Sequence, residues 1–565
     1  MSKFGVHVAT WNVGDTKPPK DLSALVGLPE SEYVIDILAV GLQEIPWSVL
    51  STSPDPLSRT NPWLSHLTSI LGKSEFVLVT ATQMCGLQLA LFVQRGVLPF
   101  LTSVESAQTP TGFFGLIGTK GVVSIRFQLH GTWFCFINAH FAAHSWNELL
   151  RVWEYDTILD YHCYEDQSKI LDHDYVFWFG DLNFRIVNVP RQVVNQELEV
   201  ENYSSLFAKD QLVQLQKKGI LFSDFEETAM IFPPTYKKFK NGDYKSYVDC
   251  PKRLPSWCDR ILYSSAPAPY SIQVLDYADI HQLNQSDHVP VYLQANVNIP
   301  KPAQNSFVCF GPATTHDLLS TDSNIMLMCN FTFWSNFKLD TSDFIALYPK
   351  FFARLDDHMI KWPVGDFLPL NSMRVDLTTE MEGKPLPAGF YCLLYHHKGR
   401  VAGVSDYFAI GEVSSDDDDF DEDLMGYDQS DEEDEIEVSY NLTGKKTNNN
   451  LNLSFPLQVA RTSSSALRCK SARPGGRVPP RPKSARGNYD DISLTPGAAS
   501  GESTSDRNST SISPTSMLTP NQPPGALINH ESSTANQNYE YDEDFEIEDD
   551  DDLDDSNDLI DDETF

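Results

Sequence analysis

Residues 255–263 read PSWCDRILY, and the reading of the fold turns on them. Ile261 and Leu262 look like the start of a buried strand, yet Asp259 and Arg260 stand directly before them. A surface ion pair at a strand end would account for one such dipeptide taken alone. The rest of the chain has to decide whether it accounts for this one.

Around this stretch, residues 1 to about 300 alternate strand-like and helix-like runs. FGVHVATWNV, ILAVGL, FVLVTA, LQLALFV, VVSIRFQL, TWFCFINAHF, YVFWFGDLNF, RILYSS, SIQVLDYA and VPVYLQANVNI have the length and the β-branched or aromatic content of strands. NPWLSHLTSILG, SWNELLRVWEYDTILDYH and SSLFAKDQLVQLQKKG space their apolar residues near the helical period. VVSIRFQLHGTWFCFINAHF reads as a hairpin with Gly131 at its turn. The pattern predicts an α/β fold of two packed mixed β-sheets flanked by helices, a four-layer sandwich.

Pro300 and Pro302 mark a boundary, after which the character changes. FVCFGP, NIMLMCNFTFWS, DFIALYPKF and GFYCLLYHH are strand-like runs separated by turn residues, as in a small all-β, Ig-like sandwich over 306–411. Residues 412–565 hold acidic runs, Asn repeats and Ser/Pro/Gly stretches that bury too little apolar area to offset ordering, so this tail is expected to be disordered. The tail carries 36 Asp and Glu against 11 Lys and Arg, a net of −25 within the −36 of the whole chain, which leaves −11 for residues 1–411. A net-negative body is a poor footprint for nucleic acid, and none is expected as a partner. The nine cysteines include no Cys-x-x-Cys pair and no Cys/His set at zinc spacing, and read as reduced thiols of a cytoplasmic protein. MSKFGVHVATWNV lacks an apolar stretch of signal-peptide length, and no run of 18 apolar residues occurs, so any membrane contact is expected to be peripheral.

Acids, amides and imidazoles gather where the strand-like runs end: Asn12 after VATW, Glu44 after ILAVGLQ, His140 after FCFINA, Asp181 and Asn183 after VFWFG, Asp259 before RILY, Asp287 and His288 before VPVYL. Capping would explain one of them; so many in one domain point to a site at strand ends. Hard oxygen ligands with histidine and without thiolate pairs suit magnesium better than zinc.

The blocks TWNVGDTKPP (10–19), GLQEI (41–45), INAHFAAH (137–144), FWFGDLNFRI (177–186), PSWCDRILY and QSDHVPVY (285–292) together resemble the inositol polyphosphate 5-phosphatases of the endonuclease/exonuclease/phosphatase superfamily, in the family order. FVCFGP and FTFWSNFKLDTSDFIALYPKF are similar to a SKICH domain, the β-sandwich that follows the phosphatase in one branch.

The resemblance implies a Mg²⁺-dependent phosphoinositide or inositol polyphosphate 5-phosphatase. Glu44 would hold the ion, with Asn12 beside it and Asp287 near it or its water shell. Asp181 would be the general base and Asn183 would orient the phosphoryl group. His140 and His288 would donate hydrogen bonds to phosphate oxygens. Asp259 would be the carboxylate that orients His288 and raises its pKa, which answers the question set by WCDRIL; Arg260 would brace the strand end. Lys120 in GTKGVV, where Thr119 replaces the family's Asn, would contact the neighbouring ring phosphate. Tyr236 and Lys237 in PPTYKKF, and Lys252 and Arg253 in CPKRLPSW, would read further phosphates; Pro251 stands where a basic residue is common. Lys237, Lys238 and Lys240 read equally as a solvated basic loop.

In TGFFGLIG (111–118), Phe113 and Phe114 are read either as core or as a tip that enters a bilayer beside Lys120. The expected partners are phosphoinositide headgroups at the cytosolic face of the plasma membrane or an endomembrane, and a protein partner through the β-sandwich or the tail. The protein is expected to be a monomer. A nuclease on the same fold and a non-catalytic adaptor are the alternatives; WCDRIL and the Tyr236-Lys237 pair oppose the first, the intact acid and imidazole set the second.

Overall fold

The computed structural model describes residues 2–28, 33–46, 57–58, 61–112, 117–250, 253–300, 307–317, 325–334, 337–377 and 386–411, and the expectation of a disordered tail lies outside them. Eleven strands come first: β1 (Ser2–Asn12), β2 (Ile37–Gln43), β3 (Phe76–Met84), β4 (Leu87–Gln94), β5 (Leu101–Thr111), β6 (Ile117–Leu129), β7 (Thr132–His140), β8 (Tyr175–Asp181), β9 (Asp259–Ser265), β10 (Ile272–Asp279) and β11 (Val291–Ile299). They form a six-stranded sheet, β10-β11-β1-β2-β4-β3, and a five-stranded sheet, β5-β6-β7-β8-β9. The β1/β2 and β7/β8 pairs are parallel, and the other ladders of both sheets are antiparallel.

Alternation of side chains explains why the sheets stack. Val6 and Val8 of β1, Leu89 and Leu91 of β4, Phe134 and Phe136 of β7, and Phe177 and Phe179 of β8 share one core between the sheets. The intervening residues face outward under helices. α1 (Pro62–Gly72), capped by Asn61 with Pro62 in its first turn, covers one sheet through Trp63, Leu64 and Leu67. α2 (Glu148–Tyr161) covers the other through Val152, Tyr155 and Ile158. The four layers expected from the sequence are therefore present. The hairpin is present too: His130 and Gly131, both at positive φ (50° and 81°), link Leu129 to Thr132 in a two-residue turn.

Three details of this part differ from expectation. SSLFAKDQLVQLQKKG is not one helix but two, α4 (Tyr203–Phe207) and α5 (Gln211–Lys217), preceded by α3 (Arg191–Glu199), which the sequence reading had not singled out. The break falls at Asp210, whose Oδ1 caps α5 at the Val213 amide and also meets the Arg260 guanidinium at 3.0 Å. β5 was also not expected, because its LTSVESAQTPT is largely polar; it is an edge strand whose residues are mostly half-buried or exposed.

The described residues between 307 and 411 form the second β unit. One sheet holds β12 (Val308–Phe310), β13 (Thr314–Asp317), β14 (Ile325–Phe333) and β17 (Ser372–Asp376). The other holds β15 (Phe344–Pro349), β16 (Ile360–Pro363), β18 (Gly389–His397), β19 (Arg400–Val404) and β20 (Phe408–Ile410). Leu327, Phe331, Leu347, Leu393 and Tyr395 lie in the core between them. The unit packs against the outer strand of the first: the Leu78 amide of β3 donates to Ala353 O at 2.8 Å. Buried Arg95 stacks on Tyr407 at 3.8 Å and reaches Ser405 O at 3.4 Å.

Three histidines are buried as neutral rings. His7 donates from Nε2 to Leu25 O (3.0 Å) and accepts at Nδ1 from Gln294 (3.2 Å); His162 lies between Thr109 and Ser124; His396 meets the Tyr348 hydroxyl. Burial lowers each of them to about 4. The unfolded chain protonates them near 6.5 and the fold does not, so stability present above pH 6.5 drains away as pH falls toward 4. By pH 5 the loss is about 2 kcal/mol per histidine, and thermal melts at pH 7 and pH 5 should show a large drop in Tm that His7→Gln reduces.

Candidate active site

In each parallel pair, the carboxyl ends of neighbouring strands lie side by side. Asn12 ends β1 opposite Gln43, the last residue of β2, and Glu44 follows; His140 ends β7 opposite Asp181, which ends β8. Antiparallel β9 begins at Asp259, opposite Asp181, and His288 lies just before β11. Residues scattered from 12 to 288 therefore meet at one end of the two sheets.

Their contacts are close. Asn12 Nδ2 donates to Glu44 Oε1 (2.9 Å) and to Asp181 Oδ2 (3.1 Å). Asp181 also accepts from the Asn183 amide and side chain, both at 3.0 Å. His140 Nε2 stands 3.4 Å from Asp181 and 3.6 Å from Glu44, with Lys120 Nζ 2.7 Å away. His288 places Nε2 3.9 Å from Asp181 and Nδ1 2.9 Å from Asp259, whose Oδ2 also accepts from Thr235 at 2.6 Å. Asn12, His140, Asp181, Asn183, Asp259 and His288 are buried, whereas the Glu44 side chain is 45% exposed.

Backbone geometry helps to aim these groups. Glu44 and Asn183 both have φ of 55°, a left-handed conformation that ordinary residues avoid. It turns each side chain out of the alternation of the strand before it. Gly180, at φ 135°, has no alternative: a Cβ there would lie 2.0 Å from Ala139 O on the neighbouring strand.

Burial works against a charge on His288, but the Asp259 and Asp181 carboxylates outweigh it and push the imidazole up to about 9. Asp181 would be raised by burial, yet His288, His140 and Arg185 hold it far below the usual carboxylate range. The pair with Asp259 thus keeps its proton on the imidazole. Asp259 and Arg260 are not partners of each other, because they project from opposite faces of β9. Arg260 is wholly buried between Glu227 (2.5 Å) and Asp210 (3.0 Å), where it braces the strand start.

The oxygen and imidazole atoms of Glu44, His140 and Asp181 lie close enough together to hold a divalent metal ion. The donor set fits: two carboxylates and an imidazole, with no thiolate, of which Glu44 is exposed. Asn12 turns its nitrogen, not its oxygen, toward Glu44, since Oδ1 accepts from the Gly14 amide at 3.0 Å. Asp287 is outside that group and pairs with Lys237 at 3.4 Å.

Among the expected phosphate contacts, Lys120 reaches the cluster directly and Tyr236 packs its ring on His288 at 4.6 Å. Arg253 donates to the Tyr236 hydroxyl at 3.3 Å. Phe113, Phe114 and Lys252 lie outside the described residues. The solvated-loop alternative does not hold for Lys238, which is buried, donates to Tyr244 O at 2.6 Å and lies 3.6 Å from the Tyr247 ring centre; burial lowers its ammonium to about 7.

Two buried residues outside the expected set also belong to the site, Arg185 and Thr235. Buried Arg185 donates to Asn183 Oδ1 and stacks on the Tyr236 ring at 4.1 Å, so it ties the Asp181–Asn183 turn to the segment that carries Tyr236. A lone cation inside the apolar run LNFRI was the available signal.

Both parts of the chain resemble known proteins. The model of endonuclease/exonuclease/phosphatase family 2 matches residues 9–294, and the SKICH domain model matches residues 315–410. Inositol polyphosphate 5-phosphatase K of Mus musculus is 32% identical over 379 residues, which are 64% of this chain and 80% of that protein. The chain is an enzyme of the inositol polyphosphate 5-phosphatase family. Phosphatidylinositol 4,5-bisphosphate 5-phosphatase A of Homo sapiens is 36% identical over 307 residues, 52% of this chain but 30% of that protein. The solved 5-phosphatase domain of SPsynaptojanin, in complex with inositol (1,4)-bisphosphate and calcium ion, is 32% identical, with TM-score 0.47 and coverage of 53% of this chain and 86% of that one.

As a 5-phosphatase, the protein should show a linked titration at His288. Because its pKa is raised, the stability contributed by the pair is complete below about 6.5 and is lost as pH rises through about 9. Asp259→Asn leaves burial unopposed by its strongest partner, so imidazole NMR should find the His288 transition at least one unit lower than in the wild type.

Proposed function

We propose that the chain is a Mg²⁺-dependent hydrolase that removes the 5-phosphate from phosphatidylinositol 4,5-bisphosphate, the 3,4,5-trisphosphate, or both, by in-line attack of water. Three units serve that function: a catalytic domain over 1–300, a SKICH-like domain over 306–411 and a tail over 412–565. The observation that carries the reading is His288 held between Asp259 and Asp181, with His140 between the same Asp181 and Glu44.

Mg²⁺ held through Glu44, with His140 and Asp181 within reach, would neutralise phosphate oxygens and offset charge on the departing ring oxygen. Asp181 takes the proton from the attacking water. In the free site its carboxylate is a weak base, because His288 and His140 pull its pKa down. A phosphate dianion against His288 partly neutralises that pull, so Asp181 becomes more basic when the substrate is in place. Asn183, fixed by its bonds to Asp181 and Phe141 O (3.1 Å), orients the phosphoryl group. His288 donates from Nε2 to a non-bridging oxygen, where charge grows in the transition state. Lys120 moves from His140 Nε2 to the anion, which frees that imidazole to act from the other side. The phosphorus–oxygen bond to the ring breaks and the departing oxygen takes a proton from water, while Asp181 returns its own to solvent, giving inorganic phosphate and a free ring hydroxyl.

Lys120, Tyr236, Lys237, Lys252 and Arg253 are the proposed readers of the remaining phosphates, with Asn12 and Asp287 bordering the metal. Several cations on adjacent phosphates favour a polyphosphorylated ring over a plain monoester. Among the described residues no helix is long and apolar enough to cross a membrane. The proposed contact with the cytosolic face of a membrane is peripheral, through Phe113 and Phe114 beside Lys120.

Purified protein with Mg²⁺ should release phosphate from short-chain phosphatidylinositol 4,5-bisphosphate, and Asp181→Ala should lower kcat by at least about 10²-fold. Release that is unaffected by that substitution, or by removing Mg²⁺ with a chelator, would refute the assignment. Phe113→Ser with Phe114→Ser should slow hydrolysis of lipid in vesicles more than that of soluble inositol trisphosphate. Equal losses on the two substrates would place these rings in the core instead.

A further inference from the structure

The reacting groups stand on two different sheets. Asn12 and Glu44 come from the six-stranded one and His140, Asp181 and Asp259 from the five-stranded one. Over most of their contact the sheets meet through apolar side chains such as Val8, Leu91, Phe136 and Phe177. Dispersion and burial hold such faces together but are non-directional, so they do not by themselves set which polar group at the end of one sheet meets which on the other. A metal-binding cluster needs that match fixed.

We propose that Asn138, with Gln43 and Gly41, is a positioning clamp that locks the two sheets together directly beneath the reacting groups. The inference rests on the proposed roles of Glu44, His140 and Asp181. Asn138 lies on β7 two residues before His140 and faces the opposite sheet. Its Nδ2 donates to Leu42 O (3.1 Å) and Gln88 O (2.7 Å), and its Oδ1 accepts from Gln43 Nε2 (2.6 Å). One buried side chain thus sends three directional hydrogen bonds across the interface, to β2 and β4. Gln43 also donates to Thr10 Oγ1 at 2.9 Å, which draws in β1 two residues before Asn12.

The approach depends on a glycine. A Cβ on Gly41 would lie 2.6 Å from both Asn138 Cγ and a ring carbon of Phe179. The arrangement is also costly, since Oε1 of Gln43 is buried without a hydrogen-bond partner. An apolar layer would fill this space without orphaned oxygens, so the polar cluster is retained for what its directionality does. It holds Glu44, next to Gln43, at one fixed position relative to His140.

The test compares Asn138→Leu and Gln43→Met, both close in volume to the native residues, with Val6→Ala, a destabilising change in the same sheet interface away from the site. The full-length proteins are assayed on soluble inositol trisphosphate, and amide exchange is followed by mass spectrometry. The expected result is a kcat lower by about 10²-fold in Asn138→Leu and about tenfold in Gln43→Met, with KM within threefold. Exchange should quicken at the Val13 and Phe141 amides, which bond to Gln43 O and Asp181 O, and not at the far ends of the same strands. Val6→Ala, at a similar fall in Tm, should keep kcat within about twofold.

If Asn138→Leu loses no more kcat than Val6→Ala at matched Tm, or its exchange quickens uniformly, the clamp is refuted. Should Asn138→Leu not fold, Gln43→Met decides by the same criteria. Wild-type protein that releases no phosphate would overturn the enzymatic reading instead, and the exchange pattern alone would then support or refute the clamp.

Discussion

Everything at this site depends on the inward faces of two stacked sheets. Along β1, β2, β7 and β8 the residues that face the other sheet are apolar at one end and polar at the other. Phe4, Val6 and Val8 give way to Thr10 and Asn12; Ile37 and Ala39 to Gly41 and Gln43; Phe134 and Phe136 to Asn138 and His140; Tyr175, Phe177 and Phe179 to Asp181. The period of two that builds the core therefore also delivers Asn12, His140 and Asp181, because each sits one or two steps beyond the last core residue on the same face. Anything that shifted a strand by one residue would turn its catalytic group to the helix-covered side.

Gathering so many ionisable groups in a buried place requires that their charges be matched. The site does this in two tiers on β9. Asp259, facing inward, meets His288 and Thr235; Arg260, facing outward, meets Asp210 and Glu227. Each buried charge has a partner at hydrogen-bond distance, which is the condition under which burial is tolerable. The outer pair also reaches into local structure, since Asp210 caps α5 and breaks the helical run in which it lies. A residue whose sequence context says helix is thereby held at a helix start by a partner 50 positions away.

That case shows what could and could not be read from the sequence. The strands were legible because their apolar and β-branched runs are long and end in turn residues, and the positions of Asn12, Glu44, His140, Asp181 and His288 at run ends followed directly. The partner of Asp259 was legible only through the resemblance carried by WCDRIL and QSDHVPVY, since nothing local joins residues 259 and 288. β5 was missed because an edge strand with one wet face lacks apolar alternation, and Arg185 because a buried cation stacked on a distant tyrosine leaves no periodic trace. Lys238 misled in the opposite direction. Its neighbours Lys237 and Lys240 suggest solvent, while the chain folds its ammonium against Tyr247 and the Tyr244 carbonyl.

The second β unit belongs to the same physical account. β3 is the outermost strand of the six-stranded sheet, and a bulge between Leu78 and Thr80 interrupts its ladder with β4. An open edge of this kind invites unwanted pairing unless it is covered. Ala353 accepts the Leu78 amide, and Leu78 and Arg354 form a parallel bridge, so a segment of the second unit continues the sheet at that point. Apolar residues of β15, β18 and β19, among them Ala346, Tyr348, Leu394 and Val401, join the cluster that also contains Val97, Leu98 and the core between the catalytic sheets. With Arg95 buried across the same junction, the contact is a continuation of packing rather than a tether between independent domains.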